Sequence, residues 1–348
     1  MNGNGLRFGV FLVSGRFPGQ QDAEVLRRSV RLALAAELAG FDDVWFAEHH
    51  FMSYGVCPSA LTLAGHVLGR TSTIDVGTAV SVLSTTHPIA LAEQWSMLDA
   101  VSDGRLRLGV GRGGPWVDLE VFGTGLDRYD SGFAESLDLL LAATREPTVS
   151  AAGSQFAFRE VGLVPRPRRP VAPVVACGSP DSDSVRLAAS RGLPMLLGMH
   201  ANDDEKARTV RAYETATAAA GAAPHVSTVL CQVGDDRREA ERAVLDSLPG
   251  WLGPGLSAHR PVDGRARARK DPVAYAERLC AIHPVGGPAE CADRLAEGIR
   301  RTGVSHVIML VEATGTPERT LENLQRIGAE VLPAVRAGAS SPAARGSG

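Results

Sequence analysis

Glu48, His49 and His50 stand together at the end of a short apolar run. An imidazole beside a carboxylate is suited to moving a proton near neutral pH, and Glu48 can fix the tautomer or orientation of such a ring. Two plainer explanations compete: a structural histidine pair, or a metal site. The absence of any HxH or HExxH pattern counts against the metal. A second cluster is Gly109-Val110-Gly111-Arg112-Gly113-Gly114. Its glycines let a ligand approach the backbone, and Arg112 can clamp a phosphate. The run matches neither GxGxxG nor a Walker loop, so a tight turn explains it equally well. A third is Gly178-Ser179-Pro180-Asp181-Ser182, where free N–H groups at a helix start attract phosphate and the Ser179 and Ser182 hydroxyls can add bonds. The alternative there is a plain N-cap. Arg112 and the 178–182 turn together suit a phosphorylated cofactor. The small residues of Gly77-Thr78-Ala79-Val80 and the turn Thr86-His87-Pro88 can admit a flat ring, or simply pack. Cys177 and Cys231 read as buried strand residues, not nucleophiles.

These groups need elements that deliver them to one place. Strands are predicted at 6–14, 43–49, 75–83, 105–111, 172–178, 194–199, 226–233 and 306–312. Helical periodicity occupies 23–39, 59–69, 88–101, 130–145, 181–191, 203–220, 236–247, 288–302 and about 316–333. Strands apolar throughout suit a sheet buried on both faces. Eight of them alternating with helices favour an α/β fold of the (β/α)8 TIM-barrel type with insertions, with a doubly wound sheet as the alternative. In such a barrel, polar residues at strand C-terminal ends tend to be functional, and Glu48-His49-His50 and Arg112 fall there. One domain is expected over residues 1–335. It carries a hairpin-like insertion at about 146–170 and a Gly-, Pro- and Arg-rich one at about 249–285. A disordered tail is expected over 336–348.

Composition sets the outer limits. The 348 residues are 44% hydrophobic and 22% charged, with net charge -3, which gives no reason to expect nucleic acid or an anionic membrane as partner. No apolar stretch reaches the length of a membrane span. The start, MNGNGLRFGVFLV, lacks a basic n-region and a cleavage site, so it reads as the first strand. Five cysteines without close pairing argue against a disulfide framework and for a cytoplasmic setting.

Taken together, FGVFLVSGRFPGQ, GFDDVWFAEHHFMSYG, VGTAVSVLSTTHPIALAEQWSMLD, SDGRLRLGVGRGG, VFGT, ASRGLPMLLG and IHPVGGPAECADRL resemble the bacterial luciferase-like flavin-dependent monooxygenase family, over nearly the whole chain to about residue 333. Several segments are close to the luciferase α chain. The resemblance implies a β/α barrel that uses reduced FMN, molecular oxygen and a small organic substrate through a C4a-peroxyflavin. It makes His49 the catalytic histidine and Glu48 its neighbour. It puts phosphate at Arg112 and the 178–182 turn (Gly178, Ser179, Ser182), and a cis peptide at Ala79-Val80 beneath the ring. Val175 and Met199 fall beside the ring.

The resemblance also implies a separate flavin reductase and a homodimer, for which Leu61, Leu63, Val67, Ala92 and Leu98 can supply an apolar face or simply pack on the barrel. A non-catalytic flavin-binding protein and a deazaflavin-dependent oxidoreductase on the same fold are the competing functions. The chain departs from luciferase at Gly111, where the reactive cysteine stands, and at Pro115 and Met199, which replace aromatic ring-pocket residues. These changes point away from light emission and long-chain aldehydes. The 249–285 insertion falls on the mobile active-site loop, a lid expected to shield the site from water.

Overall fold

The computed structural model describes residues 5–114, 117–217, 224–257 and 271–340. Eight strand positions carry the barrel: β1 (Arg7–Leu12), β2 (Asp43–Phe46), β3 (Asp75–Thr78, resuming as Ser81–Val82), β4 (Leu106–Arg107 and Gly109–Gly111), β5 (Val174–Cys177), β6 (Met195–Leu197), β7 (Val226–Leu230) and β8 (His306–Leu310). All neighbours pair in parallel. The ring closes between β3 and β4, which pair on both sides of the Ala79-Val80 peptide, Val76 with Leu106 below and Ser81 with Val110 above. The barrel alternative is thus the one adopted.

Alternation along the strands divides two cores, because successive side chains point to opposite faces. Phe8, Val10, Leu12, Val44, Phe46, Val76 and Val175 face outward into the main core. They meet helices α1 (Asp22–Leu38), α2 (Ala60–Leu68), α3 (Pro88–Val101), α4 (Gly132–Arg145), α5 (Asp183–Ser190) and α6 (Asp203–Ala216). Trp45, Val174, Leu196, Val226 and Ile308 fill the barrel interior. The Trp45 indole occupies space that only glycine leaves free: a Cβ on Gly77 would lie 2.4 Å from its ring. Its Nε1 donates to Asp43 at 2.6 Å. Asp43 also pairs with Arg7 and His306, each at 2.9 Å. Burial opposes the carboxylate, yet the His306 and Arg7 charges outweigh it and hold Asp43 at about 2. Trp45 and the Asp43 ion pairs thus fill the barrel interior toward its N-terminal end.

The 146–170 insertion forms the expected hairpin, Val149–Ala152 against Ala157–Val161. The 249–285 insertion differs from expectation. Helix α7 (Arg237–Ser257) runs on through Pro249 and Pro254, and α8 (Pro272–Ile282) follows with Asp271 capping it; only 258–270 lie outside the described residues. Gly and Pro content reads as loop, but packing of Leu248, Trp251, Leu252, Tyr275 and Leu279 in a second core overrides it. Helix α9 (Pro288–Thr302) ends at Gly303 in the left-handed conformation. The last helix, α10 (Pro317–Arg326), continues through a π-helical turn, Ile327–Val331, into Leu332–Ser340. The helix therefore extends past residue 336, where a disordered tail is expected, and 341–348 lie outside the described residues. No helix among the described residues is long and apolar enough to cross a membrane.

Of the five residues expected on a dimer face, Leu61, Val67 and Ala92 are buried in the chain's own core, with Leu63 and Leu98 partly buried against it. Packing on the barrel accounts for them.

Candidate active site

A cavity of about 1640 Å³ opens at the C-terminal end of the barrel. Its wall carries Glu48, His49, His50, Ala79, Val80, Arg112, Gly178, Ser182 and Met199, so one cavity gathers these sequence-predicted residues.

His49 follows β2, with its N–H donating to Cys57 O at 2.9 Å. The ring sits edge-on to Tyr54, centroids 5.0 Å apart, and its Nδ1 is buried without a partner. Burial, with the neighbouring His50 adding to it, lowers His49 to about 4. At neutral pH it is therefore an uncharged imidazole with one nitrogen free to accept a proton or hydrogen bond. Its space is set by Gly55, where a Cβ would fall 2.6 Å from Nδ1. Glu48 does not address His49. Its Oε1 accepts from Val82 N at 3.1 Å and lies 3.6 Å from His50 Nε2. The carboxylate thus ties the β2 end to the resumed β3, just beyond Ala79-Val80, and that peptide is cis as expected.

Arg112 leaves β4 with its guanidinium over the Tyr129 and Phe133 rings, 5.6 and 5.4 Å from their centroids, and its Nε is buried and unpartnered. Ser84 Oγ fixes the backbone there by donating to Arg112 O at 2.6 Å. After β5, Ser182 occupies the N-cap of α5, but its side chain makes no capping bond; its Oγ is buried and unpartnered. The plain N-cap explanation therefore fails for Ser182. Gly178 has nothing within 4 Å of where a Cβ would be, which leaves room for a ligand.

Two expectations shift. Val175 faces the outer core and is fully buried there, while its neighbour Ala176 lines the cavity, a parity that sequence alignment by resemblance missed by one residue. Ser179 is exposed and off the cavity wall, contributing its O to the turn through Ser182 N. The turn Thr86-His87-Pro88 takes the packing alternative: His87 caps α3, Nδ1 accepting from Ile89 N, and packs on Phe156. Pro115 lies outside the described residues.

Residues 6–306 match the luciferase-like monooxygenase family. The chain belongs to that family. Among curated relatives, the alkanal monooxygenase alpha chain of Photorhabdus laumondii subsp. laumondii is 28% identical over 94% of this chain and 97% of its own. The solved structure of monooxygenase RslO1 from Streptomyces bottropensis superposes with TM-score 0.81 at 24% identity, covering 94% of this chain and 99% of that one. The oxygenating constituent of 3,6-diketocamphane monooxygenase from Pseudomonas putida, in complex with FMN, gives 0.75 at 19% identity, over 94% and 98%.

Within this luciferase-like frame, the cavity carries residues that the sequence left unmarked. Tyr54 stacks on Trp251, centroids 5.0 Å apart, and burial raises its hydroxyl to about 12. His200 Nδ1 and the Tyr275 hydroxyl hydrogen-bond on the same wall. Asp118 lines it from the short helix after β4. His200 lies just beyond β6, and the strand-end rule that marks His49 also reaches it. Tyr275 could not be found this way, because α8 reads as loop. Gly111 has its own steric reason: a Cβ there would meet Val80 Cγ2 at 2.6 Å.

Proposed function

We propose that the protein is a monooxygenase that uses reduced FMN, delivered by a separate reductase, and molecular oxygen to oxygenate a small organic substrate. The carrying observation is that three residues lining one cavity each hold a buried polar atom without a partner: His49 Nδ1, Arg112 Nε and Ser182 Oγ. Buried polar atoms without partners are costly, so such a set marks a place where a ligand completes the bonding. Arg112 and Ser182, with the open space at Gly178, would hold the phosphate of FMN. Ala79 and Val80 offer a small apolar platform for its ring system. Bound reduced flavin supplies the two electrons with which oxygen is divided between substrate and water.

The chain's own part is positional and electrostatic. His49, uncharged at neutral pH, accepts a proton at Nδ1 or holds a hydrogen bond there. Glu48 holds the Val82 backbone, just beyond the Ala79-Val80 platform. Gly253, Gly255, Pro272 and Tyr275, from α7 and α8, line the same cavity, which fits a cover that excludes water.

The test is stopped-flow oxidation of photoreduced FMN with and without the protein. Binding is expected to change the rate at which oxygen consumes the flavin, and His49→Ala to abolish product formation while leaving FMN affinity within about twofold. Unchanged flavin oxidation, or deazaflavin binding tighter than FMN, would remove this function in favour of the deazaflavin alternative.

A further inference from the structure

His50 meets two different neighbours. Glu48 Oε1 stands 3.6 Å from Nε2, too long for a hydrogen bond. The ring packs edge-on against Phe122, with centroids 5.0 Å apart. Nε2 is buried and has no hydrogen-bond partner. Asp118, one turn before Phe122, is 4% exposed, and its Oδ1 is likewise buried and unpartnered. Both residues line the cavity. The charge of His50 acts on the Asp118 carboxyl, drawing it down against the effect of burial. Neither is used by the function argued above. Among the described residues no three His, Cys, Asp or Glu groups converge to hold a metal ion. The two orphaned atoms therefore need a hydrogen-bonding group.

We propose that His50 and Asp118 form a subsite for a hydroxyl group. The choice follows from donor and acceptor counting. A carboxylate oxygen only accepts, and an imidazole N–H donates. A hydroxyl has one hydrogen to give to Asp118 Oδ1 and two lone pairs to take the His50 N–H. A carbonyl meets only the histidine and an ammonium only the carboxylate. Phe51 and Phe122 beside His50 give the hydroxyl an apolar, aromatic flank.

Two sources carry this chemistry: a hydroxylated apolar substrate, alcohol or phenol, and the ribityl chain of a bound flavin. The subsite rests on the geometry of the cavity; only the ribityl source rests on the flavin function. Calorimetric titration with two matched pairs separates them. One pair is 2-naphthol against naphthalene, and the other riboflavin against lumiflavin, which lacks the ribityl hydroxyls. Wild type is expected to prefer the hydroxyl partner of at least one pair about tenfold or more. Asp118→Ala and His50→Leu are each expected to cut that preference to about threefold or less. Loss in the naphthol pair assigns a substrate hydroxyl, and loss in the flavin pair assigns the ribityl chain. No hydroxyl preference in wild type, or a preference that both variants keep, overturns the subsite. The two variants change different elements, the segment after β2 and the short helix after β4, so failure of one to fold leaves the other to decide. If no flavin binds wild type at all, the proposed function falls while the naphthol pair still tests the subsite.

Discussion

Glu48 Oε1 lies 3.6 Å from His50 Nε2, and His49, between them in sequence, has no carboxylate neighbour among its buried contacts. Past the end of a strand the chain no longer alternates simply, so adjacency in sequence does not give adjacency of side chains. The consequence is testable. Glu48→Gln keeps an acceptor for Val82 N but removes the charge facing His50. It is expected to move the histidine ring resonances of His50 in an NMR spectrum and leave those of His49 in place. Movement of His49 alone would show that the carboxylate serves His49 after all.

Arg112 is expected to read phosphate. Replacing it by leucine removes a charge-assisted bond worth about 1.5–3 kcal/mol, which is roughly a ten- to hundredfold loss of FMN affinity. Riboflavin, without the phosphate, should lose less than about twofold. Flavin fluorescence quenching measures both. Equal losses would mean that Arg112 supports the wall by its stacking on Tyr129 and Phe133 and not through phosphate.

The resemblance to luciferase implies a cysteine at the position of Gly111, and the space around Gly111 gives that difference a cost. The new Cβ of Gly111→Cys meets Val80 Cγ2 at 2.6 Å and Ala176 Cβ at 3.2 Å. Overpacking of this kind costs about 1–3 kcal/mol. A lowered urea midpoint with unchanged slope is expected, together with weaker flavin binding because Val80 must move. Gly55→Ala should act on the other wall, since its Cβ lies 2.6 Å from His49 Nδ1 and 2.7 Å from Val13 O. A Gly111→Cys protein as stable as wild type would show that Val80 yields freely.

Much of this was readable from residues alone. Strand and helix positions follow from short apolar runs and period-3.6 patterns, and β2, β8, α3 and α9 sit where the pattern puts them, within a few residues. The cavity residues Glu48, His49, Arg112 and Ser182 were reachable because strand C-termini share one mouth. Where sequence failed, the cause is tertiary. Val175 and Ala176 differ only by parity, which register decides. The Gly- and Pro-rich α7 end and α8 are helical because Trp251 and Tyr275 gain a core there. Asp118 becomes notable only when its lack of a partner is seen.

Three buried histidines make the fold sensitive to acid. Burial lowers His49 and His225 to about 4 and His283 to about 3, all below the usual value of 6.5. The unfolded chain then binds more protons than the folded one between about pH 4 and 6.5. Stability is complete above that window and is lost as pH falls through it, by about 1.4 kcal/mol per pH unit for each histidine. Asp43, held at about 2, adds its own loss only at lower pH. Urea titrations at pH 7, 6 and 5 should show midpoints falling steadily. A flat profile from pH 7 to 5 would show that these rings take up protons without unfolding.

The loop that backs His49 is secured from a distance by Arg28 and Glu312, a pair with side chains 3% and 1% exposed and 3.0 Å apart. Glu312 Oε2 accepts from Val13 N at 2.7 Å and Ser14 N at 3.0 Å, and Arg28 donates to Gly15 O at 2.7 Å. The same turn then bonds the segment after His50, Val56 N to Ser14 O and Arg16 N to Ser53 O, which presents Tyr54 and Gly55 to the imidazole. Removing one partner leaves the other charge buried. Glu312→Ala is expected to cost about 3–5 kcal/mol, and the double change Arg28→Met with Glu312→Leu less than the sum of the single changes. The backbone amides of Val13 and Ser14 lose their acceptor in both cases, so the double variant should still shift the His49 resonances. A double-mutant cycle in urea, read beside the histidine spectrum, separates the two effects. Additive losses with an unmoved His49 signal would show that the pair acts on neither its own charge balance nor the imidazole.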